Sequence, residues 1–300
     1  MSARELRGNL ESVIGKSRFH SLTRSGSRAL RISAQCFVQQ SAIIYRMGGV
    51  TAVAPRRDKT MTGQDYMDKP ALVSLTFDDG LRCQFERAVP ILEQYGFPAT
   101  FFLVANTDAI HTDGGEHPDW PKTDWSEQDI QLLKGMVRRG HEIGAHSVSH
   151  RRPELDNDPK LEAENSKRWI EDRLGMEVLS YCYPFYYITQ PIRNAVISAG
   201  YKQARWGTQS SYYTRQSSLD WFAVDCHQIS RTKENVGAWL RPDCWYVLTF
   251  HGIGDEQDGW EPITAAEFAR QVAELAKHRD SGSVEVVTFK DGADRLRRPN

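Results

Sequence analysis

The sequence predicts an α/β protein, a distorted (β/α) barrel of seven or eight strands. From Pro70 onward, short strand-like apolar runs alternate with amphipathic helix-like runs, the order that places parallel strands beside crossover helices. The strand-like runs number eight, enough to close a ring. Asp78, Asp79, His146, Phe185, Asp225 and His251 all fall at or just past the ends of such runs. A closed ring would gather those residues at one mouth, whereas an open doubly wound sheet, the alternative, would spread them along its edge.

The strands are expected at 72–77, 100–104, 142–145, 178–183, 201–204, 221–224, 246–250 and 284–288. The first reads as a buried strand, because Ala71 to Phe77 is apolar apart from small hydroxyls. A helix is expected over Phe85–Tyr95, whose apolar stripe ends at Gly96, a C-cap residue. A second begins after Ser126, with Asp129 where a capping box places its acid, and stops at Gly140. Others follow over 160–174, 191–199 and 264–278.

Three hundred residues, 40% of them hydrophobic, can bury one large core. A net charge of −1 argues against a nucleic-acid backbone as partner. The charge is uneven. Before Asp58 the only acids are Glu5 and Glu11, against ten Lys and Arg residues. Residues 1–69 therefore read as a basic, disordered or irregular extension, or a transit-like segment, and residues 70–300 as the folded domain. Leu10 to Lys16 is too short and too polar for a secretory signal, and no run approaches the roughly 20 apolar residues of a membrane helix. Cys36, Cys83, Cys182, Cys226 and Cys244 are odd in number and form no C-x-x-C pair, which favours a reducing compartment such as the cytoplasm over a disulfide framework. Oligomeric state is left open.

Chemistry concentrates in three fragments: Thr76-Phe77-Asp78-Asp79-Gly80, His146-Ser147-Val148-Ser149-His150 and Leu248-Thr249-Phe250-His251. Each alone is bland, since Asp-Gly is a turn signal and paired histidines often line a solvated face. As a set they supply one carboxylate and two imidazoles, three protein ligands with a fourth position open to water, as catalytic zinc sites require. Adjacent carboxylates can divide the work, one directed to the ion and the other to its water. An imidazole suits protonation of a leaving nitrogen, a post assigned to His251.

In that order the fragments resemble the motifs of the polysaccharide deacetylase family, carbohydrate esterase family 4, over roughly 72–296. The resemblance implies that Asp79, His146 and His150 bind a divalent metal, zinc first, with cobalt, nickel or manganese as alternatives. It further implies Asp78 as the general base and His251 as the general acid. The family's third motif, Arg-x-Pro-aromatic, is matched by Cys182-Tyr183-Pro184-Phe185, which lacks the arginine that orients the base. Another group must then hold Asp78. The Phe185 N–H would donate to the oxyanion, while Tyr183 is either pocket wall or core.

Trp221-Phe222-Ala223-Val224-Asp225 resembles the fourth motif, making Trp221 a pocket residue and Asp225 the acid that positions His251. Trp260, Trp125 and Trp206 could stack on sugar rings, with Trp125 and Trp260 expected in exposed loops; His111, His117 and His141 read as structural or solvated. The implied activity is metal-dependent removal of acetyl groups from N-acetylated sugars or polysaccharide, chitin-, chitooligosaccharide- or peptidoglycan-like. Alternatives are a de-O-acetylase, a C–N hydrolase of small cyclic amides, and a catalytically silent carbohydrate-binding protein.

Overall fold

A computed structural model describes residues 69–105, 120–151, 158–207, 212–214, 218–230 and 235–297. The basic extension, save Lys69, and His111 and His117 lie outside them. The strands are β1 (Ala71–Phe77), β2 (Thr100–Leu103), β3 (Glu142–Ala145), β4 (Ser180–Cys182), β5 (Gln203–Arg205), β6 (Tyr213–Thr214), β7 (His227–Gln228), β8 (Cys244–Phe250) and β9 (Val284–Val286). The helices are α1 (Val89–Gln94), α2 (Glu127–Arg138), α3 (Pro159–Leu174), α4 (Gln190–Ser198), α5 (Ala265–Asp280) and α6 (Phe289–Arg297).

The sheet runs β5-β4-β3-β2-β1-β8-β6, parallel throughout except for β6. The segment Val224–Gln228 carries the curl round the remaining side. Val224 bridges in parallel to Arg205 of β5, and β7 pairs in parallel with Leu248 and Thr249 of β8. The distorted (β/α) barrel is therefore present, with seven staves around it.

Strand alternation decides which residues meet inside. On β1, Val73, Leu75 and Phe77 face the helices, while Leu72 joins an interior cluster with Phe102, Cys182, Val224, Cys226, Trp245, Val247 and Phe289. Phe77 stacks on Phe101 and Phe250 at 4.8 and 5.3 Å, beneath Phe268 of α5. Each such buried ring contributes about 1.5–3 kcal/mol of transfer free energy. Gly144 of β3 is required by the interior packing, because a Cβ there would lie 2.5 Å from the Phe102 ring.

Several elements differ from the sequence expectation. Residues 221–224 form a turn ending in a single bridge rather than a strand: Trp221 O accepts from Ala204 N of β5, the chain turns, and Val224 makes the bridge. The first helix opens with a π-helical turn over Gln84–Ala88, so Gln84 is turned inward and buried. Ser126 caps α2 as expected, accepting from Asp129 N at 3.3 Å. The Asp129 carboxylate does not return to close the box. It binds Arg82 through both oxygens and also accepts from Thr123 Oγ1 and Asp124 N. Cys83, Cys182, Cys226 and Cys244 are buried free thiols. No helix among the described residues is long and apolar enough to cross a membrane.

Candidate active site and metal centre

Continuing each strand's alternation one step past its end sets the mouth of the barrel. Asp78 follows Leu72, Ser74 and Thr76 on the inward face, and His251 follows Trp245, Val247 and Thr249. Both are at least nine-tenths buried. The Gln84 amide donates to the carbonyls of Asp78 (2.6 Å) and His251 (3.0 Å), tying the two strand ends together. That role had no signature in the sequence.

Asp79 Oδ1 lies 3.4 Å from His146 Nε2 and 3.2 Å from His150 Nε2. Ligands about 2.0–2.1 Å from a tetrahedral ion stand about 3.3 Å from one another, so the spacing fits one ion. His146 Nδ1 lies 2.9 Å from the Cys182 carbonyl, which can only accept, so Nδ1 carries a proton and Nε2 is the nitrogen that would face a metal. Burial acts against ionisation of Asp79, yet its contacts with His146 and His150 hold it well below the usual carboxylate range. Asp79, His146 and His150 could hold a metal.

The two histidines approach one another through a loop, not a helical turn. Ser147 and His150 both have left-handed φ, at 64° and 50°. Glu162 of α3 clamps this loop, accepting from Val148 N (2.8 Å), Ser149 N (3.0 Å) and Ser149 Oγ (2.7 Å). Of eight non-glycine residues with left-handed φ among those described, five are Asp79, Ser147, His150, Phe185 and Tyr186. Backbone strain is thus concentrated around the candidate ligands, as it tends to be at working sites.

The group that holds Asp78 is Arg205, one residue beyond the strand expected at 201–204. Its Nη2 donates to Asp78 Oδ2, and the Cys182 thiol donates to the same oxygen at 3.7 Å. Asp78 Oδ1 is buried without a hydrogen-bond partner among the described residues, and His251 Nε2 stands 3.5 Å from Oδ2. Burial pushes the His251 imidazole below its ordinary pKa, against the pull of Asp78 and Asp79, so the neutral form prevails at pH 7.

The remaining candidates divide. Phe185, 40% exposed, sits in the turn after β4 with its ring 4.7 Å from that of His150. Trp260, 42% exposed, meets His251 edge-on at 4.9 Å. Of the two placements left open for Tyr183, core is the one seen: it alternates outward from Cys182, is fully buried, and donates to the Phe222 carbonyl at 3.1 Å. Trp221 is also corrected. Its ring lies 4.4 Å from the Arg297 guanidinium, which binds Lys202 O at the entry to β5, away from the mouth. Asp225 Oδ1 accepts from Cys226 N at 2.9 Å, and among the described residues His251 Nδ1 has no hydrogen-bond partner. Trp125 is buried, donating to Val104 O, rather than exposed, and Trp206 is partly buried. His141 is structural, accepting from Ala99 N at 3.1 Å.

Barrel and site together define a class, and comparison with known proteins agrees. Residues 66–204 match the family model described as polysaccharide deacetylase. The Bacillus subtilis protein YxkH, assigned to the polysaccharide deacetylases, is 24% identical over 188 residues, covering 61% of this chain and 61% of the relative. The peptidoglycan-N-acetylglucosamine deacetylase of Bacillus cereus is 26% identical over 157 residues, covering 50% of this chain and 65% of the relative. The chain thus spans just under two thirds of the length of these relatives. Among solved structures, a Mycobacterium smegmatis protein assigned to the same deacetylases superposes with a TM-score of 0.54 at 16% identity, over 83% of this chain and 99% of that one. That similarity supports the fold.

Proposed function

We propose that this protein is a metal-dependent deacetylase that hydrolyses N-acetyl groups on a sugar or polysaccharide, chitin-, chitooligosaccharide- or peptidoglycan-like, releasing acetate and a free amine. One observation carries the reading: Asp79, His146 and His150 converge at ligand spacing beside a second carboxylate, Asp78, and a buried imidazole, His251. A divalent ion, zinc by preference for this donor set, lowers the pKa of a bound water to about 7 and polarises an acyl carbonyl.

The chain's own groups divide the proton work. Asp78 stays off the ligand set with Oδ2 held, so Oδ1 takes the proton of the attacking water. His251 begins neutral and needs a proton before it can act as an acid; the proton that Asp78 Oδ1 takes from the water is the source, and His251 passes it to the leaving nitrogen. The Phe185 peptide, beside His150, is the candidate oxyanion donor, and the exposed Phe185 and Trp260 rings offer faces to a sugar. Arg205 supplies the guanidinium whose absence from position 182 suggested a silent binding protein.

The lowered His251 pKa favours a second reading, an O-acetyl esterase, because an ester leaving group needs no strong acid. Asp78→Asn is expected to keep the metal and lose about 10²–10⁴-fold in kcat. His146→Ala is expected to lose both, by metal analysis and acetate release. Retained turnover in Asp78→Asn sinks the base assignment. His251→Ala should cost amide hydrolysis far more than ester hydrolysis.

A further inference from the structure

Cys182 and Arg205 are register partners across β4 and β5, both on the inward face. The guanidinium is fully buried, between the rings of Phe102 (5.4 Å) and Tyr186 (5.6 Å). Its Nη2 donates to Asp78 Oδ2 and to Cys182 Sγ (2.7 Å), and its Nη1 donates to Cys226 Sγ (2.9 Å). Burying a cation is expensive even when it is paired, and apolar packing would serve stability as well or better. The pair therefore calls for a reason other than stability.

We infer that Arg205 is the positioning residue for the Asp78 base, delivered from β5, and that Cys182 is the small residue that leaves room for it, so that positions 182 and 205 form an exchangeable pair. This rests on the reading of Asp78 as base. The guanidinium fixes Oδ2 and leaves Oδ1, buried and unpartnered, as the proton acceptor. The thiol of Cys182 lies beside the contact of guanidinium with carboxylate, touching both, where a longer side chain would collide with them. Cys226 steadies the other amino group, its own thiol donating to Gly207 O at 2.6 Å.

The test is a cycle of zinc-loaded full-length proteins: wild type, Arg205→Met, Cys182→Arg, the double variant, and Arg205→Lys. Metal content, urea unfolding, and kcat and KM on an N-acetylated chitooligosaccharide are measured for each. Arg205→Met should keep one zinc and a KM within about threefold, while kcat falls about 10²-fold or more. Arg205→Lys should recover about tenfold of that loss. Cys182→Arg alone should lower the unfolding midpoint and kcat, since two guanidiniums then crowd one carboxylate. In the Arg205→Met background the same substitution should raise both. That reversal of sign is not expected of two independent structural residues.

A folded Arg205→Met with wild-type kcat overturns the inference, and so does a double variant no better than Arg205→Met. If Arg205→Met fails to fold, a folded, zinc-binding double variant supports the pair, and an unfolded one overturns it. A wild type without turnover would count against the proposed function alone, because the unfolding cycle reads the pair without catalysis.

Discussion

Asp78 and Asp79 are neighbours in the chain, and the backbone separates their carboxylates. Asp78 continues the inward alternation of β1, while the left-handed φ of Asp79 (73°) swings its carboxylate toward the two histidines. Glu162 is the residue whose contribution is easiest to isolate, because it touches the histidine loop and none of the candidate ligands. Glu162→Ala is expected to weaken zinc binding by about tenfold, read by chelator competition, with the protein still folded. The candidate ligand residues were legible in the sequence because their spacing and order are local. Glu162, Gln84 and Arg205 were not, since each acts on a loop or strand end distant in the chain. Arg205 did leave a trace: in Gln203-Ala204-Arg205 the arginine shares the inward parity of Gln203, and ending that strand at Ala204 hid it. Parity also gave away Tyr183, next to inward Cys182 and therefore turned toward the helices.

At the scale of elements, the strands carry the site and the helix ends hold the strands in place. The Arg82–Asp129 pair joins the start of the first helix to α2, and contacts with Arg82, Thr123 and Asp124 outweigh burial and bring Asp129 down to about 2. With the folded value depressed below the unfolded one, this carboxylate stabilises the fold fully above pH 4 or so and loses that contribution as pH falls through about 2. Asp129→Asn should therefore cost about 2 kcal/mol in urea unfolding at pH 7, and the gap from wild type should shrink toward pH 2. Gly144→Ala should destabilise by about 1–3 kcal/mol, because a Cβ 2.5 Å from the Phe102 ring forces the interior apart. The strands expected from the sequence reappear where apolar alternation is long, as in β1 and β8. The run 221–224 fails because its residues close a turn, with a hydrogen bond from Ala223 N to Asp220 O, before a single bridge.

For the whole molecule, seven staves bring Asp78, His146, Arg205 and His251 to one opening, a meeting the count of eight runs foresaw for all but Arg205 without showing how the last gap is bridged. The short Val224–Gln228 segment does so with few hydrogen bonds, so the curl is completed by its weakest element. Zinc bound by the folded state alone should raise stability by about 2.7 kcal/mol at a hundredfold excess over its Kd, and chelation should remove that gain. Calorimetry with zinc and with chelator should show the shift in wild type and none in His146→Ala. The most direct test of the whole account is acetate release from N-acetylglucosamine oligomers, alongside O-acetylated xylan, by chelated and then zinc-reloaded protein. The account predicts release from the amide, lost on chelation and restored by zinc. Release from the ester alone, or amide release that chelation leaves untouched, would contradict it.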